Sequence, residues 1–294
     1  MYPASFDYVV PTSLEEVVAE LADRGSDAKV IAGGQSLIPL LKLRVVSVGS
    51  LVDINRVPGL DGIEEENGEL RIGALVRHKA CERSELLRGR RRLLGDAARL
   101  VSDPLVRNRG TVCGSLAHAD PQGDWGAVML AARASVVASG PDGARTIPVD
   151  DLIAGPFTTS LQPAEVITEA RVPDPGPRAS GTYLKLERKV GDYATAAVAV
   201  QVTLSNGDVQ EAGIALTGVG PANIRATAAE DALRGNAPDD GAIREASRLA
   251  AEAAEPISDN RGTADYKRSV VRVFCERGLR TAIAAARAGE EESR

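Results

Sequence analysis

A chain of 294 residues carries 35 Lys and Arg against 41 Asp and Glu, a net charge of -6, so no global basic field attracts nucleic acid or anionic lipid. An anionic ligand must then be held locally, and the length suggests about two compact units. Cys81, Cys113 and Cys275 lie far apart without a CxxC pair, and His78 and His118 are the sole histidines. This argues against a disulfide framework, a zinc ribbon, an iron-sulfur cluster carried by this chain alone, and histidine-rich metal catalysis.

The opening "MYPASFDYVVPTS" has no basic segment followed by a long apolar run, and no eighteen-residue apolar stretch occurs, so the chain reads as cytosolic with no integral membrane segment. In "PTSLEEVVAELADRG", Thr12 and Ser13 precede Glu15 and Glu16 by three residues, a capping-box pattern, and Leu14, Val17, Val18 and Leu21 follow at helical spacing. Short strands are expected at Lys29 to Ala32 and Ser50 to Ile54, separated by a loop opened by Gly33 and Gly34. Next come a strand over Glu69 to Val76, a helix over Leu93 to Val101, a helix from Asp124, a hairpin turning at Gly140 to Gly143, and the strand "EVITEARV".

The stretch Pro173 to Ser180 holds three prolines in five residues and reads as a linker. Beyond it "TYLKLERK", "ATAAVAVQVTL" and "VQEAGIALTGV" read as three strands, the last two joined by "SNGD". Helices are expected over 226–234, 240–254 and 265–288, packed on one face of an antiparallel sheet, with "GEEESR" as a frayed tail.

Two stretches resist a purely structural reading. "VIAGGQSLIPLLKLR" breaks an apolar run with two glycines, Gln35 and Ser36, and "RNRGTVCGSLAHADPQGDW" repeats small residues at Gly110, Thr111, Gly114 and Ser115. Glycines permit positive φ and close approach of a ligand to the main chain, so each segment is a candidate nest of amides for an anion. Two nests suit a dinucleotide. Neither matches GxGxxG or GxxxxGK[ST], which excludes the dinucleotide fingerprint and the phosphate loop by spacing.

Together with "YLKLERKVGDYATAAVAV", these segments make the chain resemble the FAD-binding medium subunit of molybdenum hydroxylases, the group of carbon monoxide dehydrogenase, xanthine dehydrogenase and aromatic hydroxylases. The resemblance covers nearly the whole chain. It implies an α+β protein: a vanillyl-alcohol-oxidase-type FAD-binding domain of two α/β subdomains, then a C-terminal domain with a three-stranded antiparallel sheet and helices. The linker places these at 1–176, with subdomains at about 1–57 and 58–176, and at 177–288, leaving 289–294 as the tail.

By the same resemblance, Ala32, Gly33, Gly34, Gln35 and Ser36 wrap the FAD pyrophosphate from one side and Thr111, Val112, Cys113, Gly114 and Ser115 from the other. Asp124 is implied near the ribose or adenine end, Leu161 and Lys185 along the cofactor, and Tyr193 beside the isoalloxazine. FAD is non-covalent. Gln35 departs from the His often found in the first loop. Cys113 places a side chain where glycine is common, which demands negative φ or a displaced loop. As a lone thiol, Cys113 reads better as a small buried hydrophobe than as a redox group, His118 as a packing residue, and Trp125 as packing at a helix start.

The implied role is electron transfer with no catalytic residue in this chain. A molybdopterin cytosine dinucleotide on a large subunit would oxidise substrate, two 2Fe-2S clusters on a small subunit would carry electrons here, and a quinone, NAD or oxygen would accept them. A dimer of heterotrimers is implied, cytoplasmic, reaching the inner face of the membrane only through partners. Carbon monoxide and aromatic or heterocyclic substrates stand open, as do two rival readings: a stand-alone FAD oxidase and a flavin-free scaffold.

Overall fold

The computed structural model describes residues 2–292, with side chains through residue 288. The chain begins with β1 (Asp7–Val9), α1 (Leu14–Arg24), β2 (Ala28–Ile31), α2 (Leu37–Lys42) and β3 (Ser50–Asp53). The three strands form a parallel sheet in the order β1-β3-β2. The expected cap is present at α1. Ser13 Oγ accepts from the Glu16 amide at 3.2 Å, while the Glu16 carboxylate accepts from the Thr12 amide at 2.7 Å, one residue before the usual return bond. Val17 and Leu21 bury the inner face of this helix.

At the far end of α2, Arg44 adopts φ 57, its amide donates to Leu41 O, and the Val45 amide donates to Leu40 O. This is a Schellman ending with arginine in the left-handed position that glycine usually fills. Val45, whose side chain would ordinarily fold back onto the helix, is 67% exposed.

The second unit continues with β4 (Ile63–Glu66), β5 (Glu69–Gly73), α3 (His78–Arg83), α4 (Arg92–Leu100), α5 (Pro104–Arg107), α6 (Val112–His118) and α7 (Asp124–Ala131). It ends with β6 (Ser135–Gly140), β7 (Gly143–Pro148), α8 (Val149–Leu152), β8 (Ile153–Gly155), β9 (Thr158–Thr159) and β10 (Val166–Pro173). An antiparallel sheet runs β4-β5-β10-β6-β7. Strand β4 is not foreseen by apolar alternation because "IEEE" is acidic and mostly exposed. Asn67 and Gly68, at φ 53 and 79, turn it into β5 as a two-residue hairpin.

The third unit comprises β11 (Ala179–Glu187), β12 (Ala194–Ser205), β13 (Asp208–Thr217), β14 (Ile224–Arg225), α9 (Thr227–Leu233), α10 (Asp240–Ala253) and α11 (Ala264–Glu292). A two-residue fourth strand, β14, extends the three expected ones. Helix α11 continues to Glu292, and the last two residues of the expected tail lie outside the described residues.

Helices cover both faces of this sheet, where one face was expected. Ala196, Val198, Val200, Val202 and Leu204 of β12 join Val271, Cys275 and Leu279 of α11 in one core. Ala194, Ala197 and Ala199 turn the other way, into the larger core that holds Trp125, Val128 and Leu93 from α7 and α4. Burial on both faces explains why "ATAAVAV" shows no polar alternation. Close approach is enforced at Gly213, where a β-carbon would lie 1.9 Å from Ala131 O. Helix α7 is buried at every position, as a helix clamped between layers must be.

Candidate flavin-binding site

A cavity of about 550 Å³ opens at the carboxyl ends of the parallel strands, lined by Tyr8 of β1, Ile31 at the end of β2 and Asp53 at the end of β3. Ligands of open α/β sheets gather at such ends because loops diverge there and leave amides unpaired. Ala32, Gly33, Gly34 and Gln35 line the cavity, together with Lys42, Leu43, Asn55 and Arg109. Gly34 has φ +72, whereas Gly33 is demanded by space: a β-carbon there would lie 2.3 Å from Arg109 O and 2.8 Å from Gly110 Cα. The two segments singled out in the sequence therefore touch. Among the described residues, the amides of Gly34, Gln35 and Ser36 donate to no backbone carbonyl, and the Ser36 hydroxyl makes no cap bond.

The second segment is built differently from the expected nest. Neither Gly110 nor Gly114 has positive φ. Thr111 caps α6, its Oγ1 accepting from the Gly114 amide at 3.0 Å, and the antiparallel bridge between Arg77 and Thr111 engages the Val112 amide, so of the first-turn donors the Cys113 amide is left at the helix start. Cys113 lies within α6 without positive φ and turns its thiol into the core, where burial pushes the pKa up. The displaced loop that a side chain here threatened is not needed. Ser115 is half-buried on the same helix.

A polar frame fixes both segments. Arg77 donates to Arg109 O at 2.7 Å and to Asn55 Oδ1, and Asn55 Nδ2 donates to Ala32 O at 2.8 Å. Burial, followed by the neighbouring Arg109, lowers the Arg77 pKa. Burial would raise the Asp53 carboxyl, but hydrogen bonds from Tyr8 and Asn55 outweigh it and hold it low. Behind the second segment, the His78 amide donates to Gly110 O at 3.0 Å, and Trp125 Nε1 donates to His78 Nδ1 at 3.0 Å. Burial, then Arg107 and Arg77, lowers His78 to about 3, so the imidazole stays neutral and acts as a strut.

The remaining expected site residues are spread across the neighbouring layers. Asp124 and Lys185 meet: the ammonium lies 3.1 Å from Asp124 Oδ1 and donates to Leu100 O at 2.9 Å, with 1% of the lysine side chain exposed. Tyr183 donates to Asp124 Oδ1 at 2.7 Å. Burial is the chief force on Asp124 and leaves its pKa raised despite Lys185 and Tyr183. Leu161 packs against the main core. Tyr193 is 48% exposed, and burial of its ring side together with Asp120 raises its pKa. Tyr8, Asp53, Asn55, Arg77, His78 and Tyr183 are not among the expected site residues. The signal for Asp53 and Asn55 is their place at the carboxyl end of a strand; for the others it is contact alone.

The fit to a flavin dinucleotide rests on three observations: a cavity at strand carboxyl ends, a glycine that admits no β-carbon, and unpaired amides in both segments. Residues 4–175 match the family described as the FAD binding domain in molybdopterin dehydrogenase, and residues 181–282 match the CO dehydrogenase flavoprotein C-terminal domain. The chain belongs to this family: it is the FAD-binding medium subunit of a carbon monoxide dehydrogenase-type molybdenum hydroxylase, an oxidoreductase component.

Its relatives include the carbon monoxide dehydrogenase medium chain of Hydrogenophaga pseudoflava, 42% identical over 97% of this chain and 99% of the relative. The 6-hydroxypseudooxynicotine dehydrogenase complex subunit alpha of Paenarthrobacter nicotinovorans is 40% identical over 99% of each chain. Among solved structures, carbon monoxide dehydrogenase from Hydrogenophaga pseudoflava superposes with a TM-score of 0.94 at 44% identity, covering 97% of this chain and 99% of that one.

Proposed function

We propose that this subunit carries electrons between partner-borne redox centres and an external acceptor. FAD, when bound, supplies the redox chemistry; the chain supplies grip, orientation and a shielded polar frame. The amides of Gly34, Gln35 and Ser36 and that of Cys113 would hold the diphosphate, with Ala32, Gly33, Thr111, Val112, Gly114 and Ser115 shaping the passage. Asp124, Leu161, Lys185 and Tyr193 complete the contacts. The contact of Gly33 with Arg109 supports this reading most, because it brings the two segments together.

The electrons come from 2Fe-2S clusters on a small subunit after substrate oxidation at a molybdopterin site on a large subunit, and the chain does not act on substrate by itself. Units 1–176 and 177–288 divide this work as the FAD-binding domain and the C-terminal flavoprotein domain. The complex is a cytoplasmic dimer of heterotrimers acting on carbon monoxide or on an aromatic or heterocyclic substrate. A complex assembled with Gly33→Val in this subunit tests the proposal. It should still reduce its molybdenum and iron-sulfur centres with substrate, yet fail to pass electrons to the natural acceptor. Normal turnover without flavin would refute it.

A further inference from the structure

Gln201 of β12 follows Ala197 and Ala199 along the strand face that joins the main core, yet it carries a carboxamide and is only 8% exposed. It stands in register between Gly181 of β11 and Gly213 of β13, so neither neighbouring strand sets a side chain beside it. Its Nε2 has no hydrogen-bond partner among the described residues. Arg133, at φ 56 just beyond α7, commits Nη2 to Ala212 O at 2.9 Å and Glu230 Oε2 at 2.7 Å. Its Nη1 is likewise buried without a partner.

Both residues line one cavity of about 450 Å³, which shares no residue with the flavin site. Much of the remaining lining is the expected linker, Pro173 to Arg178, together with Ala131, Ala132 and Leu204. That linker is not slack. Thr203 Oγ1 donates to Pro175 O at 2.9 Å, the Leu204 amide to Arg178 O at 3.0 Å, and the Asp174 amide to Gly68 O at 2.8 Å. The wall is therefore fixed in place before any ligand arrives. Two carboxylates, Asp174 and Glu211, also border the cavity, but each lies beside an arginine, Arg90 at 2.9 Å and Arg234 at 3.6 Å.

Buried donors without acceptors are rare in native folds, because each gives up its water for nothing in return. Here a carboxamide and a guanidinium with spare N–H groups border the same space, whose size suits a small organic molecule. A donor pair that includes a cation selects an acceptor bearing negative charge. The three prolines, Leu204 and the two alanines favour a compact apolar body behind that acceptor. We propose that this cavity binds a small organic carboxylate, its oxygens accepting from Gln201 Nε2 and Arg133 Nη1 and its apolar part resting on the proline-rich wall. The site stands apart from electron transfer and does not depend on it.

The test titrates benzoate into the full chain and follows the heat of binding. Binding should be saturable, and benzamide, the uncharged counterpart, should bind at least tenfold more weakly. Gln201→Met keeps the reach of the side chain but removes the donor, and should weaken benzoate at least tenfold while flavin content stays unchanged. Arg248→Gln, on α10, should leave benzoate binding as it is. No saturable binding to the wild-type chain would overturn the proposal, as would benzamide binding as tightly as benzoate, or a folded Gln201→Met that binds benzoate normally. Independently of how the variant folds, crystals of the wild-type chain soaked in 4-bromobenzoate should show anomalous bromine signal between Pro173 to Pro177 and Gln201. Signal confined to other sites would overturn the proposal.

Discussion

Gly33 meets Arg109 so closely that a β-carbon on the glycine would lie 2.3 Å from the arginine's carbonyl oxygen. That oxygen is held by Arg77, and the opposite side of Arg77 is held by Asn55, which in turn grips Ala32 O. The candidate flavin site is thus a place where the loop after β2 and the connection between α5 and α6 are fastened at backbone contact. Its geometry depends on a small number of polar links.

Gly33→Ala should separate the loops, since the obstructing atom is main chain and cannot swing aside. The expected cost is about 1–3 kcal/mol of stability, with flavin content of the assembled complex falling at least tenfold. Flavin absorbance per medium subunit, measured beside a thermal melt, separates the two effects.

Thr111→Ala removes the side-chain acceptor for the Gly114 amide. Loss of such a cap costs about 1 kcal/mol. Thr111→Ser should recover most of it in urea denaturation, because the hydroxyl, not the methyl, makes the bond.

His78 makes stability depend on pH. Its folded pKa is depressed from 6.5 to about 3, so between these values the unfolded chain binds more protons, and stability rises with pH. The contribution is complete above 6.5 and is lost as pH falls towards 3, by at most about 5 kcal/mol at 1.36 kcal/mol per unit. His78→Gln should start from a lower plateau near neutrality and lack this slope in urea midpoints taken across the window.

Asp124→Asn and Lys185→Met should each destabilise by about 3–5 kcal/mol, because either removes one partner of a buried ion pair. The double variant should recover part of that loss. Flavin content per folded subunit, read in the same set, distinguishes a purely internal pair from one that also touches the cofactor: only the latter lowers flavin in the double variant.

Much of the fold is legible in the sequence where local chemistry decides it. The cap at Ser13 and Glu16, the turn at "SNGD" and the unbroken apolar run of β12 each express their structure within a few residues. β4 is missed because its residues are acidic, and its hairpin rests on Asn67 and Gly68 at positive φ. The glycines of the second segment are legible as small but not as to why: Gly110 yields space to His78, and Gly114 to Thr111. Lys185 reads as an exposed strand lysine or a cofactor contact, and only packing against Asp124, Tyr183 and Leu100 reveals a buried pair. Contacts of this kind, like Arg77 with Asn55, come from segments far apart in the chain, and no short-range pattern encodes them.

The most direct measurement is the position of the diphosphate in a structure of the flavin-loaded complex. Its oxygens should lie within hydrogen-bonding distance of the Gly34, Gln35 and Ser36 amides on one side and the Cys113 amide on the other. A diphosphate bound away from the line where Gly33 meets Arg109 would contradict it.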